Sequence, residues 1–141
     1  MSARTEGEGG MPRWDVLVVD DEPVVRDAIR LVLEAGGLSV ATAADREAAL
    51  AHPAAECCRL VLCDVMLPES SGLEVLRALR ARRPELPVVM ITGYATAEVA
   101  VESLRCGAAG FLPKPFDETE LMKQVRQTLA MPDAAGKERR S

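Results

Sequence analysis

A chain of 141 residues lies in the size range of one domain, and 48% apolar residues give it material for a core. Aromatics are only 3%, so packing falls to Val, Leu, Ile and Ala. A formal charge of −5 offers nucleic acid no general attraction, and no apolar run reaches the roughly 18 residues of a spanning helix.

Residues 1–13 mix Gly, Glu, Arg and Ser, lack the apolar centre of a signal peptide, and read as a mobile arm. Trp14 to Val19 predicts a first strand. Asp20-Asp21-Glu22-Pro23 ends it and opens a helix, since acids suit the positive end of a helix dipole and proline suits its first turn. Val24, Val25, Ala28, Ile29, Val32 and Leu33 recur at helical spacing until Gly36-Gly37 stops them. Leu38 to Thr42 predicts a second strand, and Asp45 caps a second helix through Ala51. Leu60-Val61-Leu62-Cys63 is a continuous apolar run of the kind buried on both faces of a sheet, and it ends at Asp64. A carboxylate there is costly to bury without a partner.

Ser71-Gly72-Leu73-Glu74 has the capping-box pattern and opens a helix carrying Leu73, Leu76 and Leu79, with Pro84 and Pro87 bracketing its exit. Val88 to Ile91 predicts a fourth strand ending in Thr92-Gly93. Thr96 caps a fourth helix that stops at Gly107. Gly110-Phe111-Leu112 is a fifth strand shortened by Pro113, with Lys114 just beyond. Asp117-Glu118-Thr119-Glu120 is a second capping box, and Leu121, Met122, Val125 and Leu129 line the last helix. Residues 132–141 read as a tail or linker.

Five strands alternating with five helices predict an α/β fold, a doubly wound parallel sheet covered on both faces. Ligands of such sheets sit outside the carboxyl ends of the strands. Asp20-Asp21, Asp64, Thr92 and Lys114 follow the first, third, fourth and fifth strands, so all belong on that edge. Three acids and a lysine there suggest a site for a divalent cation and a phosphoryl group. Cys57, Cys58, Cys63 and Cys106 have no zinc-like spacing and His52 stands in no motif, so the cysteines read as reduced apolar fillers and the protein as cytoplasmic.

The acidic pair Asp20-Asp21, the segment Asp64-Val65-Met66-Leu67-Pro68, Gly72, Thr92-Gly93, Gly107-Ala108 and Lys114-Pro115-Phe116 resemble, in order and spacing, the receiver domain of two-component response regulators over residues 14–131. Ile91-Thr92-Gly93-Tyr94-Ala95-Thr96 and Phe111-Leu112-Pro113-Lys114-Pro115-Phe116 are similar to receivers of nitrogen-regulation-type activators and some hybrid kinases. The resemblance implies a flavodoxin-like fold with strand order 2-1-3-4-5. It makes Asp64 a phosphoacceptor that takes its phosphoryl group from a phosphohistidine, not an enzyme with a separate substrate. It implies Mg²⁺ held directly by Asp21 and Asp64, through water by Asp20, and by the backbone carbonyl of Met66. Lys114 would hold a phosphoryl oxygen, with a cis Lys114–Pro115 bond. Thr92 and Phe111 would form a switch that reshapes the face of the fourth helix, fifth strand and fifth helix. Met66 and Tyr94 would tune the phosphoryl lifetime by hindering water.

The implied partners are a sensor histidine kinase or phosphotransfer protein, a downstream protein, and a second copy through the switching face; neither direct nucleic-acid binding nor membrane is expected. Two departures from the family pattern stand out: Glu69-Ser70-Ser71 lacks the glycine often found after Pro68, and Phe111 replaces a commoner tyrosine. A phosphohydrolase of the haloacid-dehalogenase type would carry Asp-x-Asp after the first strand, where this chain has Asp20-Asp21-Glu22. A phosphorylation-independent binding module of the same fold would tolerate loss of an acid or the lysine, and neither is lost. Past residue 131 there is no helix-turn-helix pattern or basic cluster; Lys137, Arg139 and Arg140 read as linker or solvated end. A stand-alone receiver and the front piece of a longer transcriptional regulator or hybrid kinase both stay open.

Overall fold

The computed structural model describes residues 13–93 and 96–131. Its continuous apolar runs form the centre of the sheet. Strands β1 (Val16–Val19), β3 (Leu60–Asp64) and β4 (Val88–Thr92) are buried at every position, as strands covered on both faces must be. Strands β2 (Val40–Ala43) and β5 (Gly110–Pro113) are only partly buried and take the edges. All neighbours are parallel in the order β2-β1-β3-β4-β5, the order the resemblance implies.

Helices α1 (Pro23–Ala35) and α5 (Glu118–Ala130) cover one face, where Ile29, Leu33, Leu121 and Val125 meet Val16, Val18, Leu60, Leu62 and Ile91. Helices α2 (Arg46–Ala51), α3 (Gly72–Arg82) and α4 (Ala97–Arg105) cover the other. Val75, Leu76 and Leu79 of α3 pack there against Leu17, Val61, Cys63 and Met90. Both predicted glycine stops take the same form. Gly37 (φ 93°) and Gly107 (φ 98°) are left-handed, and the paired bonds Gly37 N–H to Glu34, Leu38 to Leu33, Gly107 to Leu104 and Ala108 to Ser103 close a Schellman motif at each end.

Strand edges shift where side chains take over from the ladder. Trp14 and Asp15 precede β1, and Asp15 locks onto Ser39 instead: each backbone N–H donates to the other residue, Asp15 to the Ser39 oxygens and Ser39 to Asp15 Oδ2 at 2.9 Å. A 3₁₀ turn (Pro53–Glu56) and a small hairpin pairing Met66–Leu67 with Ser70–Ser71 are additions to the expected elements. The hairpin turns at Pro68-Glu69, and Glu69 takes φ 58° at the place where the family often has glycine. The capping box at α5 is complete, but at α3 only half forms. Ser71 caps Leu73, while Glu74 pairs with Arg46 of α2 at 3.0 Å. Among the described residues no helix is long and apolar enough to cross a membrane. Apart from Arg13, the expected arm and tail lie outside the described residues.

Candidate functional site

The carboxyl ends of β1, β3 and β5 deliver three charged side chains to one spot. Asp20 follows β1 directly and is fully buried; Asp64 is the last residue of β3 and 4% exposed. Lys114, just past β5, bridges them: its Nζ lies 2.9 Å from Asp64 Oδ2 and 3.2 Å from Asp20 Oδ2. The second oxygen of each carboxylate accepts from the main chain two residues on, Asp20 Oδ1 from Glu22 N–H (2.9 Å) and Asp64 Oδ1 from Met66 N–H (3.0 Å). These bonds fix which oxygens face the lysine. Asp21 is exposed beside them, and carboxylate oxygens of Asp20, Asp21 and Asp64 lie within 4.8 Å of one another.

The backbone around the site explains its shape. Lys114 N–H donates to the Thr92 carbonyl at 2.8 Å, which ties the lysine to the end of β4, and the Lys114–Pro115 bond is cis as implied. Arg26, from the first turn of α1, donates to the Asp20 carbonyl at 2.8 Å. Gly72 opens α3 directly against the acceptor strand: a Cβ there would stand 2.0 Å from the Asp64 carbonyl oxygen. Only a residue without a side chain fits.

Electrostatics follow from burial and proximity. Burial holds the Asp20 carboxyl above its ordinary pKa, and neighbouring Asp64 pushes the same way, against the opposing pull of the Glu22 amide and Lys114. Burial works against the charge of Lys114, but its hydrogen bond to Asp64 and the charges of Asp20 and Asp64 outweigh it, so its pKa rises. Behind the site, burial first and the two aspartates second push the Cys63 thiol far up, and burial takes Cys58 to about 11. Both are neutral fillers, and the four cysteines are free thiols. The carboxylates of Asp20, Asp21 and Asp64 carry two formal negative charges in excess of Lys114, and such an oxygen donor set suits a hard, oxygen-seeking dication such as Mg²⁺.

Thr92 is fully buried at the end of β4, and Phe111 is half-buried in β5 opposite Met90. Strand alternation therefore puts Thr92 and Phe111 on one face of the sheet. Met66 stands at the rim, 54% exposed. Tyr94 lies outside the described residues. Glu22 is more than a helix-opening acid: it adds a carboxylate 3.6 Å from Lys114 Nζ. Its place directly after Asp20-Asp21 was the available signal. Arg26 carried none, because its contact is to a backbone carbonyl.

The family model for the response regulator receiver domain matches residues 16–126. The chain belongs to this family. It is 41% identical over 117 residues to the nitrogen assimilation regulatory protein NtrX of Azorhizobium caulinodans, covering 82% of this chain and 26% of that protein. It is 38% identical over 114 residues to the C4-dicarboxylate transport transcriptional regulatory protein DctD of Pseudomonas aeruginosa, covering 81% and 25%. The crystal structure of the NtrX receiver domain from Brucella abortus superposes with a TM-score of 0.77 at 40% identity, covering 82% of this chain and 98% of that one. The chain thus spans about a quarter of the length of these two curated relatives. As a receiver of two-component signalling it has the phosphoryl-accepting function of that domain, and receivers of this family work with histidine kinases and downstream targets. The receiver family binds Mg²⁺ at an acidic pocket, and this chain has an acidic cluster in Asp20, Asp21 and Asp64.

Proposed function

We propose that Asp64 is the residue that accepts the phosphoryl group. The observation that carries this is the Lys114 ammonium 2.9 Å from Asp64 Oδ2, with Asp20 and Asp21 converging on the same point. A carboxylate oxygen of Asp64 forms the new O–P bond as the P–N bond of a phosphohistidine breaks, and the electron pair stays on the departing imidazole nitrogen. Attack by an anion on an anionic group needs its charge offset, and catalysis of phosphoryl transfer is largely positioning plus such stabilisation. Asp20, Asp21, Asp64 and the Met66 carbonyl would hold Mg²⁺, which supplies that offset when bound. Lys114 exchanges its carboxylate contacts for a phosphoryl oxygen, as a mobile point charge can.

Thr92 then donates its hydroxyl to the phosphoryl group, and Phe111, on the same sheet face, turns toward the space Thr92 leaves. The group adds a charge near −2 and strong acceptors, and the bias comes from its different contacts in the two packings. The surface of α4, β5 and α5 changes with it and meets a downstream partner or a second copy. Met66 and Tyr94 limit the approach of water. The chain acts as acceptor for a sensor kinase or phosphotransfer protein, with residues 14–131 as the receiver, in the cytoplasm. NtrX of Azorhizobium caulinodans and DctD of Pseudomonas aeruginosa are regulators that extend well beyond the matched region, which favours a place at the front of a longer regulator over a lone receiver.

The test is incubation with Mg²⁺ and acetyl phosphate, followed by intact mass. Wild type gains one phosphoryl group and Asp64→Asn gains none. An equal gain in Asp64→Asn, or no gain in wild type, refutes the assignment.

A further inference from the structure

The sheet edge opposite the acids holds a second feature that the phosphoryl chemistry does not use. A cavity of about 520 Å³ lies where β3, β4 and β5 begin and α5 ends. Arg59, Arg80 and Arg83 line it together with apolar Leu86, Leu129 and Met131. Glu85 is the one carboxylate among its lining residues.

The charges do not balance. Arg59 pairs with Asp15 at 3.1 Å and Arg83 with Glu85 at 3.4 Å. Arg80 has no carboxylate within ion-pair distance among the described residues. Its guanidinium is held in place all the same. Nη1 donates to the Leu86 carbonyl at 3.2 Å, and the group packs over left-handed Gly107, where a Cβ would come within 3.1 Å of Nε. A guanidinium has five N–H donors, and the Leu86 carbonyl is the one acceptor for Arg80 among the described residues. A half-buried cation fixed in place without a counter-charge is costly unless an anion supplies it.

We propose that this cavity binds a small organic anion, a carboxylate or phosphate on a compact apolar body, with Arg80 gripping the anionic head. The fork of a guanidinium matches both heads through paired N–H bonds. Leu129 and Met131 offer apolar surface to the body, and the volume is that of a small-molecule pocket. Arg59 and Arg83 add positive field while remaining tied to their own carboxylates.

The experiment titrates the ¹⁵N-labelled full chain with phenylphosphonate and follows amide shifts. Saturable shifts centred on Arg59, Leu86, Gly107 and Ala109 are expected, with a dissociation constant below about 5 mM. Benzylamine, with the same ring and the opposite charge, should give none. Arg80→Gln should weaken binding at least about tenfold, and Arg59→Gln, at a mostly exposed position, by less. Circular dichroism shows whether each variant is folded, and Arg59→Gln serves alone if Arg80→Gln is not. Three results overturn the proposal: no saturation in wild type, shifts centred on Asp20, Asp64 and Lys114 instead, or undiminished affinity in both variants.

Discussion

Replacing Lys114 by methionine keeps most of the aliphatic stem and removes the one cation that bridges Asp20 and Asp64. At an effective dielectric constant of about 20, charges separated by 2.9 and 3.2 Å attract by about 6 and 5 kcal/mol before desolvation is counted. Burying the ammonium and holding its long side chain offset much of that, and mutual repulsion of the two aspartates is then left unopposed. Breaking a buried pair by removing one member costs about 3–5 kcal/mol. The Lys114 side chain is 19% exposed, so water relieves part of this, and the loss expected is about 2–4 kcal/mol at pH 7 without divalent ions. Urea unfolding measures it. The pH dependence has a definite sign. Asp20 already titrates above its unfolded value, so its ionised form is disfavoured in the folded state, and this penalty disappears as pH falls through the folded value. The gap between variant and wild type therefore narrows on acidification. Saturating Mg²⁺ narrows it too, because the variant's site is more negative. Adding Asp20→Asn to Lys114→Met should recover more than about 1 kcal/mol. A single variant within about 0.5 kcal/mol of wild type at pH 7 would refute the idea that these carboxylates depend on the lysine.

Other predictions address the frame. Burial alone would raise the pKa of Asp15, but the Ser39 amide and Arg59 more than offset it and leave the carboxyl below its ordinary 3.8. Its contribution is thus present above that value and lost as pH falls through the lower folded one, so Asp15→Asn should cost about 1–2 kcal/mol in urea unfolding at pH 7 and little in strong acid. Gly72→Ala drives a Cβ onto the Asp64 carbonyl and should cost about 3 kcal/mol or more by the same assay, since backbone must move on both sides. At Glu69, with φ 58°, thermal stability should rank Gly above Glu above Val, with up to about 1 kcal/mol gained by glycine. An equally stable Glu69→Val would show that the turn relaxes to negative φ.

What the chain's letters reveal depends on how local the cause is. The β1, β3 and β4 cores are legible because strands buried on both faces must be apolar without interruption. The Gly37 and Gly107 stops are legible because the αL cap needs no distant partner. The hairpin at Met66 to Ser71 is not, since two-residue strands have no period to read. The capping box at Ser71 misleads for a different reason: Glu74 finds Arg46, 28 residues earlier in the chain and adjacent only after folding.

The same distinction separates the two sites. Asp20, Asp64 and Lys114 each sit at the end of an apolar run, and parallel strands bring all their carboxyl ends to one edge, so position in the chain already implies position in space. Arg59, Arg80 and Arg83 have no such common marker. Arg59 precedes a strand, whereas Arg80 lies within α3 and Arg83 caps it, and they share a cavity only because α3 runs back along the sheet to its amino edge. A parallel strand–helix–strand unit must make that return for every crossover. Residues late in a helix are therefore carried beside residues early in the strands, and the second edge of such a sheet gathers its side chains from places that no linear motif connects.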